Sequence, residues 1–277
     1  MQWRGRRRST NVEDRRGVSG RGLAVGGGLG GIVLLLLYLF LGGGDLSQLV
    51  PSEPAQELTA EEKALDDERA EFVQVVLADT EDVWYKLLGQ EYRAPTLVLF
   101  RQSVQSACGM AGSATGPFYC PGDEKVYIDL SFFDEMERKL NAPGDFAMAY
   151  VIAHEVGHHI QRLQGTTAKL SRLREQLPER EYNKYSVQLE LQADFLAGVW
   201  AHHAQQMKNI LEEDDIEEAL NAANAIGDDR LQEQAQGRVV PESFTHGTSQ
   251  QRVYWFKKGF TTGDLRQGNT FADPSLN

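Results

Sequence analysis

The sequence predicts an α+β protein, a mainly helical domain with a small β-sheet that is preceded by one N-terminal transmembrane helix. Three observations carry this prediction. An uncharged apolar run lies near the start of the chain, two short β-rich runs fall between residues 96 and 130, and the pattern from Ser131 onward is mostly helical. Hydrophobic residues make up 41% of the 277 and charged residues 25%, which is ordinary for a globular protein.

The apolar run covers residues 22–44, which carry no charge, and its most apolar part is residues 32–41 (IVLLLLYLFL). About 20 residues, rising roughly 1.5 Å each, cross a hydrocarbon core of about 30 Å. We therefore expect a signal anchor over residues 22–44. The arginines before it indicate a basic cytoplasmic segment over residues 1–21 and place the rest of the chain on the periplasmic or extracellular side. A cleaved signal peptide is the alternative, because Gly42 and Gly44 are small enough for a cleavage site.

The net charge of −12 is unevenly distributed. Residues 1–21 hold seven of the 28 basic residues and two of the 40 acidic ones, so the remainder has 21 basic and 38 acidic residues, a net of −17. Nucleic-acid binding needs a basic surface. The acidic body therefore argues against a nucleic-acid partner.

Residues 45–58 contain two prolines and many polar residues, which predicts a linker, and one domain follows over residues 59–277. Thr59 and Glu62 have the spacing of a capping box at the start of a helix. Residues 96–100 and 125–130 are the strand candidates, and residues 103–122 are expected to be a loop.

Cys108 and Cys120 are the only cysteines, and they lie twelve residues apart in the predicted loop. An even count, a short spacing and a location across a membrane favour a disulfide. Free thiols in a cytosolic protein are the alternative.

His154 and His158 lie four residues apart within residues 145–163, a segment with helical periodicity. Side chains at i and i+4 project from the same face of a helix, so both imidazoles can reach one zinc ion at about 2.0–2.1 Å. Glu155 follows the first histidine, where a carboxylate can take a proton from a metal-activated water. Surface histidines on an ordinary helix are the alternative. His159 points roughly 100° away from His158 and is expected to be structural.

A catalytic zinc site needs a third protein ligand and an open position. The metzincin pattern would require histidine six residues after His158, where Gln164 stands. Glu190, on a strongly helical segment 32 residues downstream of His158, meets the need instead. Asp194, one turn further, is predicted to accept the N–H of a ligating imidazole and fix its orientation.

His246 precedes a predicted helix that contains Arg252, and either residue is a candidate to stabilise the oxyanion of a tetrahedral intermediate. The alternative is a loop histidine and a helix-capping or ion-paired arginine. The sequence does not decide between these readings.

Several blocks of the chain resemble the bacterial neutral zinc metallopeptidases, the YpfJ-like zincins, and more distantly the M48-like gluzincins. The resemblance spans roughly residues 66–271 and rests on residues 118–121, 126–133, 153–159 and 243–252. It implies a zincin-like metallopeptidase domain at a bacterial inner membrane, with one Zn²⁺ per chain and a peptide or protein substrate. His154, His158 and Glu190 would then be the metal ligands and Glu155 the general base. Gly247 stands where M48-type enzymes have proline, so the role of His246 is not carried over by the resemblance.

The resemblance also implies that a strand beside the active helix contacts substrate. We expect a peptide to add to the strand formed by Val126, Tyr127, Ile128 and Asp129, through backbone hydrogen bonds.

Two other functions compete with a peptidase. One is a catalytically inactive, membrane-tethered binding or scaffold protein of zincin fold, and the other is a purely structural zinc site. Glu155 argues against both, since neither needs a base beside the metal.

Overall fold

The computed structural model describes residues 1–17 and 59–276. Its helices are α1 (Ala60–Leu88), α2 (Phe132–Arg138), α3 (Asp145–Leu163), α4 (Thr166–Arg174), α5 (Glu179–Lys208), α6 (Asp215–Ala225), α7 (Asp228–Gln236) and α8 (Ser249–Thr262). Its strands are β1 (Val12–Asp14), β2 (Thr96–Phe100), β3 (Ser103–Ser106), β4 (Gly109–Gly112), β5 (Phe118–Cys120) and β6 (Lys125–Asp129). The predicted α+β class, mainly helical with a small sheet, is confirmed for these residues.

Four strands form the main sheet in the order β1-β2-β6-β5. β1, β2 and β6 are parallel to one another, and β5 runs antiparallel to β6. Leu97, Val98 and Leu99 of β2 are all fully buried. Burial on both faces explains why the two predicted strands, now seen as β2 and β6, have continuous apolar runs rather than alternating ones.

The region expected to be a loop contains structure of its own. β3 and β4 form an antiparallel pair with Ser103 opposite Gly112, and β5 follows them as the edge of the main sheet. Three of the four residues of β4 are glycine or alanine, so its sequence carries little apolar pattern for a strand prediction. The predicted disulfide between Cys108 and Cys120 is confirmed and links this region to β5.

The helices α3, α5 and α8 approach one another closely at contacts that contain glycine. A Cβ on Gly157 of α3 would lie 3.1 Å from the carbonyl oxygen of Ala193 on α5. A Cβ on Gly198 of α5 would lie 2.1 Å from the carbonyl oxygen of Phe256 on α8. Glycine lowers helix stability by about 1 kcal/mol relative to alanine. Here its lack of a side chain lets the helix backbones approach closely. These helices carry the candidate site.

Helix α1 begins where the sequence predicts. The Thr59 side chain accepts from the backbone N–H of Glu62, and the Glu62 carboxylate accepts from the N–H of Thr59. The helix buries Trp84 and a row of valines against the rest of the core. The capping-box prediction is therefore confirmed.

The predicted anchor over residues 22–44 and the linker over residues 45–58 lie outside the described residues. Within residues 1–17 and 59–276, no helix combines the length and apolar character needed to cross a bilayer.

Residues 1–17 lie against the domain. Val12–Asp14 pairs with β2 in the main sheet, and the backbone N–H of Arg15 donates to the carbonyl oxygen of Leu99 at 2.8 Å. Residues 12–14 thus pair directly with the sheet of the domain, and the cytoplasmic location of residues 1–21 stays a prediction. The sequence of β1, Val-Glu-Asp, is too short and polar to predict a strand.

Candidate metal centre

Two helices bring the three predicted ligands together. His154 and His158 project from successive turns of α3, and Glu190 faces them from α5. The distance from His154 Nε2 to Glu190 Oε2 is 3.1 Å, and that from His158 Nε2 to Glu190 Oε1 is 3.5 Å. One nitrogen or oxygen of each side chain lies within 4.8 Å of the others. The geometry is therefore that of three donors converging on one point.

The chemistry of this donor set fits a zinc ion. Both histidines use Nδ1 in hydrogen bonds with the protein, to Asp194 and to Gln161. Donation from Nδ1 leaves the Nε2 lone pair free, and both Nε2 atoms face the Glu190 carboxylate. Two imidazoles and one carboxylate are a donor set typical of catalytic zinc, which keeps a further position open for water or substrate.

Asp194 is buried at the centre of a hydrogen-bond network behind His154. Its Oδ1 lies 2.8 Å from His154 Nδ1 and accepts from the Tyr150 hydroxyl at 2.6 Å. Arg252 of α8 donates to both carboxylate oxygens, from Nε and Nη2, at 2.9 Å each. Burial by itself would raise the pKa of Asp194, but Arg252 and His154 hold it below its usual value. The carboxylate therefore remains charged and orients the His154 ring.

Arg252 is accordingly an ion-paired residue. Its side chain is 3% exposed and its guanidinium is engaged by Asp194, Tyr150 and the carbonyl oxygen of Ile226. Of the two sequence readings, the structure favours the ion-paired arginine over an oxyanion donor.

Gln161 orients the His158 ring, as Asp194 orients that of His154. Its Oε1 accepts from His158 Nδ1 at 2.9 Å, and its Nε2 donates to the carbonyl oxygen of Leu189 at 2.7 Å. The side chain is fully buried. Gln161 thus ties His158 to the backbone of α5 next to Glu190.

Glu155 lies beside the ligands on α3, 8% exposed and in the wall of the same cavity. Burial raises the pKa of Glu155, and the neighbouring His158 and His154 oppose that rise. A buried carboxylate with a raised pKa is suited to taking up and releasing a proton.

His246 faces the cavity from the loop between α7 and α8 and is held by Asp228, the first residue of α7. His246 Nδ1 lies 3.2 Å from Asp228 Oδ1. Asp228 Oδ2 accepts the backbone N–H groups of Thr245, His246 and Gly247 at 2.7, 2.6 and 3.0 Å. Burial would raise the pKa of Asp228, but the His246 side chain and the backbone N–H groups of His246 and Thr245 hold it below its usual value. Asp228 therefore fixes both the loop and the imidazole.

A cavity of about 450 Å³ opens at this centre. The polar side chains that line it include His154, Glu155, His158, Glu190 and His246. Apolar side chains form much of the remaining wall: Phe118, Phe132, Leu140, Val151, Ile226 and Leu231. A cavity of this size with a few converging polar groups is typical of a small-ligand or peptide site.

The binding of a substrate strand by Val126, Tyr127, Ile128 and Asp129 stays a prediction. β6 pairs with β2 through residues 125–129 and with β5 through residues 125–127, so Val126 and Tyr127 already have strand neighbours on both sides. The Asp129 carboxylate accepts from Ser113 Oγ and the backbone N–H groups of Gln102 and Ser131. In the part of the chain that the structure describes, β5 is the edge strand on this side of the sheet, and its Phe118 and Tyr119 line the cavity.

His159 is a structural residue, as predicted. Its Nε2 donates to the carbonyl oxygen of Arg93 at 2.7 Å, and its Nδ1 accepts from the Tyr119 hydroxyl at 3.0 Å. Burial lowers the pKa of His159, although the bond to Arg93 opposes this. His159 therefore anchors β5 to α3.

Three residues of the site were missed by the sequence reasoning: Tyr150, Gln161 and Asp228. Tyr150 and Gln161 lie on the His154 helix at i−4 from His154 and i+3 from His158, so helical spacing could have found them. Asp228 precedes His246 by 18 residues and carries no spacing signal.

A second group of acidic side chains, Asp145, Asp215 and Glu218, also lies close enough to hold a cation. The amino group of Met1 donates to Asp145 at 2.5 Å and to Asp215 at 3.1 Å. An ion pair with the protein therefore accounts for two of these carboxylates, and the histidine-containing group is the better metal site.

Residues 1–271 match the model of a family described as "Putative neutral zinc metallopeptidase". The chain is 53% identical over 286 aligned positions to the uncharacterized protein YpfJ of Escherichia coli strain K12, covering 98% of this chain and 99% of that protein. It is 40% identical to the uncharacterized protein Rv2575 of Mycobacterium tuberculosis strain H37Rv over 73% of this chain and 71% of that protein. No solved structure matches the chain.

Proposed function

The chain belongs to the neutral zinc metallopeptidase family, and on that premise we propose that it hydrolyses peptide bonds with Glu155 as general base beside a zinc ion held by His154, His158 and Glu190. The observation that carries this proposal is the convergence of the three donors on one point, next to a buried glutamate and in the wall of a cavity. Membrane anchoring through residues 22–44 remains a prediction.

Bound zinc would supply Lewis acidity, which activates water and polarises the peptide carbonyl. Glu155 takes a proton from the attacking water and passes it to the leaving amine. Burial of Glu155 supports this role, since it raises the pKa of the carboxyl. Asp194 and Gln161 hold the two imidazoles in the orientation that a metal requires.

His246 is proposed to stabilise the negative charge that develops on the carbonyl oxygen. Asp228 accepts from Nδ1, so the imidazolium form would present its Nε2–H to the cavity. A donor fixed before the reaction begins contributes most to such stabilisation, because it does not reorganise during the step. The four contacts of Asp228 with residues 245–247 supply that rigidity.

We propose that substrate lies along β5 rather than β6. Among the described residues β5 has a strand partner on one side only and its side chains line the cavity, so an extended peptide can add to it by backbone hydrogen bonds. The apolar wall around Phe118, Phe132 and Leu231 favours peptides with a large apolar side chain near the scissile bond.

An inactive scaffold and a structural zinc site are less consistent with this geometry. A structural zinc site is closed by four protein ligands, whereas the group found among residues 1–17 and 59–276 has three and lines a cavity. A scaffold has no use for a buried carboxylate beside the ligands.

The test is a peptide library incubated with the purified full chain, as wild type and as Glu155→Gln, with the zinc content of each measured. We expect cleavage by the wild type, none by the variant, and equal zinc in both. Glu233→Gln, an exposed position on α7, is the matched control and should cleave as the wild type does. Identical cleavage profiles for wild type and Glu155→Gln would contradict the proposal.

A further inference from the structure

The first residues of the chain form an edge of the main sheet. Val12, Glu13 and Asp14 pair with Leu97, Val98 and Leu99 of β2. Backbone hydrogen bonds of 2.8 Å join Leu97 N to the carbonyl oxygen of Asn11 and Arg15 N to that of Leu99. β1 thus covers the edge of β2 that would otherwise be unpaired.

Trp3 extends this contact into the hydrophobic core. The side chain is 8% exposed, and its ring packs edge-to-face on Phe72 of α1 with 5.6 Å between centroids. Phe72 in turn packs on Phe133 of α2. The N-terminal segment therefore completes a cluster that also includes two helices.

Ion pairs also hold the N-terminal segment, residues 1–17, against the domain. Arg6 pairs at 2.7 Å with Asp79, whose side chain is 1% exposed and also contacts Lys208. Arg16 pairs at 3.1 Å with Asp66, which is 3% exposed and also contacts Arg101. Removing the cationic partner of a buried carboxylate destabilises the folded state, because the remaining charge is left uncompensated.

Glu81 is held by the segment in the same way. Its Oε1 accepts from Ser9 Oγ at 2.5 Å and from Asn11 Nδ2 at 2.8 Å, and its Oε2 accepts from Arg7 at 2.9 Å. The basic segment and the acidic body are therefore complementary surfaces of one fold, which gives a physical reason for the charge asymmetry in the sequence.

These contacts bear on membrane topology. Arg16 reaches Asp66 and Asp67, within the first turns of α1, which begins at Ala60. Strand pairing and ion pairs act over about 3 Å, whereas a bilayer core is about 30 Å thick. We propose that residues 1–17 are an integral part of the domain and lie on the same side of any membrane as the metal centre. This replaces the expected cytoplasmic location of residues 1–17 opposite an external domain.

Cysteine labelling of the full chain in bacterial spheroplasts tests the proposal. Thr10→Cys and Thr261→Cys place one thiol in the N-terminal segment and one in α8, both at exposed positions. The two native cysteines are joined in a disulfide and do not compete. We expect a membrane-impermeant maleimide to label both variants in intact spheroplasts, or to label both only after permeabilisation. Labelling of one variant in intact spheroplasts and of the other only after permeabilisation would overturn the proposal.

A stability measurement tests the docking itself. In the detergent-solubilised full chain, Trp3→Ala should lower the midpoint of thermal unfolding by several degrees, because it empties a buried site against Phe72. Gln2→Ala, whose side chain is exposed, is the control and should leave the midpoint unchanged. A Trp3→Ala variant that fails to fold would also show that the domain depends on the docked segment for its stability. A midpoint equal to that of Gln2→Ala would overturn docking of the segment.

Discussion

The Asp194 carboxylate lies 2.8 Å from His154 Nδ1, on the side of the imidazole opposite to Glu190. The same carboxylate is clamped by Arg252, so α8 is coupled through one buried ion pair to a candidate metal ligand on α3. This chain of contacts makes the C-terminal helix part of the site, although it contributes none of the three proposed ligands.

Asp194→Asn should weaken zinc binding by about 10–100-fold, because it removes the charged acceptor that orients His154. Competition with a chromophoric chelator measures the affinity. Asp264→Asn, a surface carboxylate paired with Arg266, is the matched control and should bind zinc as the wild type does. Equal affinities for Asp194→Asn and wild type would show that His154 does not need this acceptor.

Arg252→Met should destabilise the fold by about 3–5 kcal/mol, since it leaves the fully buried Asp194 without its cationic partner. The free energy of unfolding from denaturant titration reports this change. Arg266→Met removes an arginine that is 90% exposed and should change stability by less than about 0.5 kcal/mol. A similar loss for both variants would contradict a special role for the Asp194–Arg252 pair.

His246→Ala should lower kcat by about 10²–10³-fold with zinc content unchanged, because the side chain is proposed to act on charge that develops only in the transition state. His203→Ala is the control, since His203 Nε2 bonds to the carbonyl oxygen of Gly263, far from the candidate ligands. A change in KM alone would instead indicate that His246 binds the substrate without stabilising the transition state.

Asp228 should contribute to the loss of stability in acid. Its pKa is lowered in the folded chain, because the His246 side chain and the backbone N–H groups of His246 and Thr245 outweigh the effect of burial. Stability from this group is therefore present above the unfolded value of about 3.9 and is lost as pH falls through the lower folded value. We expect Asp228→Asn to be less stable than wild type at pH 7 and to lose less stability between pH 5 and pH 3. If the unfolding free energies of wild type and Asp228→Asn changed equally with pH, a contribution of Asp228 to acid sensitivity would be ruled out.

Local patterns predicted the parts of the site that lie on single helices. The i and i+4 spacing placed His154 and His158 on one face of α3, and the same spacing related Glu190 to Asp194 on α5. The apolar run of β2 and the capping box at Thr59 were also readable, because each depends on neighbours in sequence.

Pairings between distant segments could not be predicted in this way. The order of strands in the sheet is a tertiary property, so nothing in residues 126–129 shows that β5 pairs with Val126 and Tyr127. β1 has only three residues, and its place is set by β2, Trp3 and the buried carboxylates of α1. The contact between Gly157 and Ala193 likewise depends on the packing of α3 on α5.

Zinc titration of the metal-free full chain, followed by hydrolysis of a peptide that the wild type cleaves, tests the proposed centre most directly. We predict that turnover rises with added zinc and levels off at one equivalent per chain. We also predict that Glu155→Gln takes up the same equivalent and stays inactive. Full turnover by the metal-free chain, or by Glu155→Gln with zinc bound, would contradict a peptidase centred on His154, His158, Glu190 and Glu155.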